Sequence, residues 1–266
     1  MSHILRYIRL LGVQLRMSVL TAMQYRADFI VRGLIALLWI TVTMIPFVIV
    51  FGARAEITGW TFHQALVVVA WFTLLRAVLE GAVSPSLTAV VEQLRHGTLD
   101  FVLLKPADAQ FLVSTAKIEP WHAVDVLSAL AIFIYAFVHL GRAPSPHGLL
   151  LGAVFFLLAV LILYSIWILV VSAAFWVVKV DNLSYLFGSL FDVARWPITI
   201  FGRGFLRVLF TFVFPVAVMT TYPAMALLGT LRASTAIAAL VGGLLFAAIA
   251  RAVWGRALGM YTSASS

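Results

Sequence analysis

The sequence predicts an all-α polytopic membrane protein with six transmembrane helices, and three observations carry that expectation. First, 64% of the 266 residues are hydrophobic and only 11% are charged, with a mean hydropathy of +1.09; a soluble domain carries roughly 25% charged residues. Second, several runs are free of charge for long enough to cross a hydrocarbon core of about 30 Å, which takes about 20 helical residues. Gly33 to Phe51 gives 19, Leu149 to Val178 gives 30, Val208 to Leu231 gives 24 and Ala233 to Ala250 gives 18. Third, these runs are continuously apolar and rich in Leu, Ala and Val, whereas barrel strands alternate apolar and polar residues over short segments.

Residues 1–27 place Ile4, Ile8, Leu11, Leu15 and Val19 at helical spacing, while Arg6, Arg9 and Arg16 fall elsewhere on the wheel. That pattern predicts an amphipathic helix lying in the membrane interface. The segment has no short apolar stretch followed by a small-residue cleavage site, so the first true span is expected to serve as an uncleaved signal. That span is expected at about Phe29–Phe51, with Pro46 as a kink, and the second at about Trp60–Leu79, with Trp60 as an interfacial anchor. Residues 80–120 are the most polar stretch and read as a solvent-facing loop with helical pieces. The third span is placed at about Trp121–Leu140, ended by the turn GRAPSPHG, and the fourth at 149–178. Thirty helical residues extend about 45 Å, so the fourth helix must tilt or project.

Residues 179–231 admit two readings. Asn182 to Phe201 is apolar but contains Asp192 and Arg195, and Val208 to Leu231 is uncharged but interrupted by Pro215 and Pro223. In one reading, 183–201 is the fifth span and 205–229 is a re-entrant hairpin of two half-helices, each too short to cross. In the other, 183–201 lies at the cytoplasmic interface and the later segment crosses. The last span covers about Ala233–Trp254. With the N-terminus inside, the first reading puts 12 Lys and Arg on the cytoplasmic side against 5 outside, and the second gives 15 against 3; the charge rule alone favours the second.

The net charge of +8 sits at the flanks of apolar spans, which fits topology and anionic lipid head groups and predicts no nucleic-acid partner. The chain has no cysteine, which excludes disulfides and thiolate metal sites. Lys105, Lys117 and Lys179 all lack a P-loop context, and no HExxH or GxSxG occurs, so neither ATP hydrolysis by that route nor those hydrolase chemistries are expected. His122 and Asp125 lie three apart on one helix face; a metal or proton-relay role is weighed there against an ordinary interfacial histidine, which is favoured. Asp192 and Arg195 have the same spacing. An ionisable pair at membrane depth faces protein or water, so lining a transport path and a structural ion pair stand level. Gly255 with Gly259, and Gly242 with Gly243, read as helix-packing positions.

The stretch EQLRHGTLDFVLLKPADAQFLVSTAKIEP, Glu92 to Pro120, resembles the loop between the second and third spans of type-two ABC exporter permeases. The matching features are a charged residue, Arg95; the run Gly97-Thr98-Leu99-Asp100; the apolar patch Val102-Leu103-Leu104; and Pro106. The basic amphipathic N-terminus, RWPITIFGRG with the proline-bearing segment after it, and the tail WGRALGMYTSASS extend the resemblance to a subgroup of small permeases linked to drug export. An Asn-Pro common in the re-entrant region of that family is replaced here by Phe214-Pro215.

The resemblance implies a single permease domain over 1–266 and favours the re-entrant reading of 205–229. It implies pairing with a second permease, identical or similar, and with ABC ATPase subunits that hold the ATP and Mg, so that this chain carries no cofactor and no metal. Arg95, Gly97, Thr98, Leu99, Asp100, Lys105 and Pro106 would couple the two; Asp192 and Arg195 could line the path. The implied setting is a bacterial inner (plasma) membrane, with both termini cytoplasmic, and export of a drug, lipid or other apolar or amphipathic compound. An ion-coupled secondary transporter or channel is the alternative, for which Asp192 is the one buried carboxylate available.

Overall fold

A computed structural model describes residues 3–24, 26–173, 188–202 and 204–260. Helix α1 (His3–Gln24) precedes α2 (Arg26–Ala53), and a two-stranded turn pairs β1 (Glu56–Ile57) with β2 (Trp60–Thr61). Helix α3 (Phe62–Val78) begins with a capping box: Thr61 Oγ1 accepts from the Gln64 amide, while the Gln64 side chain accepts from the Thr61 amide. A π turn (Leu79–Val83) carries α3 into α4 (Ser84–Arg95). Short helices α5 (Asp100–Leu103) and α6 (Ala109–Ser114) lead to α7 (Ala123–His139) and α8 (Pro146–Ala173). Short helices α9 (Phe205–Val208) and α10 (Tyr222–Leu227) belong to a bent pair, and α11 (Ala233–Gly259) is last.

Five helices are long and apolar enough to cross a membrane, and the bent pair, Phe205–Val213 with Ala217–Leu227, is a further candidate. The α3–α4 and α8 spans are central: most of each is buried, whereas only 17% of the α2, α7 and α11 windows is. Helix α3 packs chiefly on α7, and α8 on α11, around Phe72, Leu75, Leu79, Phe155, Ile162 and Met219. The outer helices leave Leu34, Leu38 and Ile49, then Leu127 and Ile134, then Ile237 and Leu245 exposed. Apolar surface of that extent requires lipid or a second subunit against it.

Two ends of the bundle can be told apart by contacts. At one end Trp60 Nε1 donates to Thr199 Oγ1 (2.9 Å), Arg142 donates to the Leu228 carbonyl (3.3 Å), and Gly148 lies against Ala226. At the other, Asp108 pairs with Arg251 and Tyr164 bonds to Gln110 and Ser114. The chain thus stands at the first end both before the bent pair, at Thr199, and after it, at Leu228. The two limbs meet at 73° across Phe214-Pro215, where Phe214 is extended (φ −111°, ψ 94°) and Pro215 brings no amide hydrogen to continue the helix. This is the geometry of a re-entrant hairpin. Its polar groups are held inside the protein: Thr220 Oγ1 donates to the Ala194 carbonyl (2.7 Å), and the Ile198 amide donates to Thr221 Oγ1 (3.0 Å).

Four element boundaries differ from the sequence expectation. The second span does not stop near Leu79 but runs as Phe62–Leu94, because Leu79, Val83, Leu87, Val90 and Val91 keep an apolar stripe buried through the supposed loop. The last span continues past Trp254 to Gly259. Of 183–201, residues 183–187 lie outside the described residues; 192–195 and 198–201 are separate 3-10 turns broken at Trp196-Pro197, so this part is no continuous helix. The fourth span is described from Pro146 to Ala173, and 174–178, Lys179, Arg203 and the tail 261–266 lie outside the described residues. Of the glycines read as packing positions, Gly243 does admit Leu158 and Ile162, while Gly242, Gly255 and Gly259 meet nothing within 4 Å.

A Cβ at Gly148 would lie 2.9 Å from the Ala226 backbone oxygen, an atom that cannot swing aside. Gly148→Ala should therefore lower stability by about 1–3 kcal/mol, read as a lower heat-unfolding midpoint in mild detergent, whereas Gly242→Ala, with open space around it, should leave the midpoint unchanged. Equal midpoints for both variants would contradict the packing of α8 on α10.

Candidate functional site

The loop between α4 and α7 is built around the end of α4. Gly97 sits at φ +66°, a region that side chains with a Cβ avoid. Its amide donates to the Leu94 carbonyl (3.3 Å) and the Thr98 amide to the Gln93 carbonyl (2.9 Å), which is the paired closure of a Schellman cap. The chain reverses there, and Leu99 enters the core at 1% exposure. From Leu99 onward the one-turn helix α5 sorts its side chains by the three-residue spacing of neighbouring helical positions. Leu99 and Val102 face the protein core, and Phe101 and Leu104 face outward at 69% and 80% exposure. Lys105 and Pro106 continue this exposed edge.

Three other elements hold the loop in place. From α1, Arg6 donates to the Pro106 carbonyl, and the Tyr7 hydroxyl accepts from the Asp108 amide (3.0 Å) with its ring edge-on to Phe111 (4.7 Å). From α11, Arg251 reaches Asp108 at 3.4 Å. From α8, Tyr164 accepts from Gln110 (2.9 Å) and shares a hydrogen bond with Ser114 (2.7 Å). Asp108 itself caps α6, accepting from the Phe111 amide (2.9 Å).

The seven residues assigned to coupling are thus contiguous in space but divide by position. Gly97 and Thr98 make the turn, Asp100 opens α5, and Lys105 and Pro106 are exposed. Leu99 is buried and serves as an anchor, so it cannot be a contact residue in this conformation. Arg95 ends α4, and its side chain lies outside the described residues. Phe101, absent from the sequence-based set, is the largest apolar group on the exposed edge; its signal was present as an aromatic directly before the apolar patch.

Asp192 and Arg195 do meet, as their spacing predicts. Arg195 Nε donates to the Asp192 carbonyl (2.8 Å), the side chains approach to 3.5 Å, and the guanidinium lies 5.9 Å from the Phe72 ring centroid. Half-exposed Asp192 and the turn that carries it lead toward the bent pair rather than crossing as a helix. His122 Nδ1 lies 2.6 Å from Asp125 Oδ2, with Asp125 at 4% exposure. Among the described residues no group of three or more His, Cys, Asp or Glu could hold a metal ion.

Asp108→Ala removes the α6 cap, worth about 1 kcal/mol, and an exposed ion pair worth at most about as much. Amide hydrogen exchange at Leu112 and Thr115, which bond to Asp108 and Phe111 within α6, should quicken by about fivefold or more, with α8 amides unchanged. No change in α6 would contradict the three-way strapping of the loop.

Residues 37–265 match the family model described as ABC-2 family transporter protein. No curated protein and no solved structure matches the chain.

Proposed function

The chain belongs to the ABC-2 family of transporter proteins, and from that premise we propose that it is the permease subunit of an ATP-driven exporter, moving an apolar or amphipathic compound with energy supplied by a separate ATPase subunit. The observation that carries the reading is the exposed edge Phe101, Leu104, Lys105 on a loop strapped to α1, α8 and α11. An aromatic and a leucine standing together in solvent, beside a charge and on a fixed turn, match the buried anchors by which proteins dock into a partner's groove. In the re-entrant reading this side of the chain carries 12 Lys and Arg against 5 on the other, which by the positive-inside rule supports a cytoplasmic face here, where an ATPase would stand. The 54–61 turn and the mouth of the re-entrant hairpin then face outward.

Push or pull on the loop reaches the spans through rigid connections. Leu99 is wedged in the core, α4 continues into the central α3 span, and the polar contacts of Gln110 and Ser114 grip α8. Closure of an ATPase dimer would therefore move the two central helices together, the rigid-body gating that packed bundles support. The exposed outer helices supply surface for a second permease and for lipid.

Tagged chain extracted in mild detergent should bring down an ATP-binding subunit, and Leu104→Asp should weaken that capture by at least about tenfold, the scale of a buried anchor residue, without altering membrane insertion. Replacing Asp100 and Lys105 together by alanine should reduce ATP-dependent transport in reconstituted vesicles. Failure of the wild-type protein to capture any ATPase would sink the exporter reading; capture that is indifferent to Leu104→Asp would move the docking site elsewhere.

A further inference from the structure

A cavity of about 290 Å³ opens between α2, the π turn and the start of α7, at the same end of the bundle as the loop. Most charges on its rim are already matched. Arg32 Nε reaches Asp28 at 2.7 Å and its guanidinium lies 4.6 Å from the Trp121 ring centroid. Lys117 pairs with Glu119 at 3.4 Å, and His122 with Asp125 at 2.6 Å. Arg76 and Glu80 both line the cavity; among the described residues neither has a hydrogen bond or an ion pair within 4.0 Å, although the Arg76 and His122 charges act on Glu80 across the gap.

The separation of Arg76 from Glu80 has a structural cause. Four residues apart on an α-helix they would be neighbours, although the order Arg before Glu is the weaker one. Glu80 instead falls in the π turn Leu79–Val83, whose wider winding shifts it off the α-helical register. The segment just before α7 packs on the turn: the Glu119 amide donates to the Gly81 carbonyl (2.7 Å), and a Cβ at Gly81 would lie 3.2 Å from His122 Cβ. Two opposite charges held apart inside a membrane-spanning helix are costly, and such groups line a pocket or path.

We propose that this cavity binds the head group of a zwitterionic amphiphile, an ammonium and a phosphate joined by a short linker. The guanidinium of Arg76 takes the phosphate, whose oxygens match its planar fork. Glu80 takes the ammonium, with Trp39 beside it for a cation–π contact. A lone phosphate would leave Glu80 unmatched, and a lone amine would leave Arg76 unmatched; a ligand carrying both matches the pair. The mouth is flanked on α2 by Ile35 and Trp39, about half exposed on the lipid-facing side, so the apolar tails remain in the bilayer. Arg32 and Trp121 at the rim set the depth at the head-group level. The site goes beyond the exporter reading and does not depend on an ATPase.

The test titrates the purified full chain with water-soluble dihexanoyl phosphatidylethanolamine and dihexanoyl phosphatidylglycerol. Wild type should prefer the ethanolamine lipid by about tenfold, the value of one charge-assisted contact. Glu80→Gln should erase that preference without weakening the glycerol lipid, and Arg76→Gln should weaken both by about tenfold. Should Arg76→Gln fail to fold, Glu80→Gln and the two lipids still decide. Equal wild-type affinities, or a preference that survives Glu80→Gln, overturns the proposal. A second arm separates the sources of the head group. A resident lipid co-purifies with wild type and is lost from Glu80→Gln. A transported one, in vesicles with the captured ATPase, reaches the opposite leaflet on adding ATP, and less so with Glu80→Gln. Neither behaviour in a folded protein also overturns the proposal.

Discussion

A backbone amide or carbonyl inside hydrocarbon has no water to turn to, so every departure from α-helix in this molecule must be matched by a partner from elsewhere in the chain. The matches can be followed one by one. The carbonyl of Gly81, in the π turn, accepts from the Glu119 amide. The 3-10 turn around Ala194 is completed by the Thr220 hydroxyl, and the amide of Ile198 by Thr221. In these cases the irregular backbone lies where the segment before α7 or the bent pair is packed close enough to serve it. The long helices that face outward, α2 and α11, stay helical from end to end, with α2 carrying Pro46 in its interior.

That constraint also explains why threonine and serine, poor choices for an apolar core, are buried here. Thr73, Ser165 and Ser172 return their hydroxyls to the carbonyl four residues back in their own helices, which costs no external partner. Thr220 and Thr221 point theirs across to the preceding turns instead. The same residue type thus closes a helix upon itself in one place and joins two broken segments in another.

Fold class was legible from the sequence because continuous apolar runs have one physical meaning, and the break at Phe214-Pro215 was legible because proline removes a donor. The end of the second span was misplaced because Glu80, Glu92 and Arg95 raise the polarity of a segment whose apolar stripe, Leu79 to Val91, nevertheless stays in helical phase. Composition averages over a helix; burial follows its faces. The straps on the loop between α4 and α7 were hidden for another reason. Tyr7 and Asp108, or Asp108 and Arg251, lie about a hundred or more residues apart, and no local pattern announces them. Phe101 and Leu99 are both apolar neighbours of the same short helix, and only its orientation tells the anchor from the exposed group.

The Arg76–Glu80 pair and the exposed edge at Phe101 stand beyond the two ends of helix α4. Helix α4 is 12 residues long, about 18 Å at 1.5 Å per residue, running from the π turn to the Schellman cap at Gly97. Its partner on the return path is tied alongside: Ser86 Oγ donates to the Lys117 carbonyl (2.6 Å) and accepts from the Lys117 amide (3.0 Å). A displacement of the loop between α4 and α7 would therefore be delivered along α4 to the π turn and to Glu119, which bonds to it.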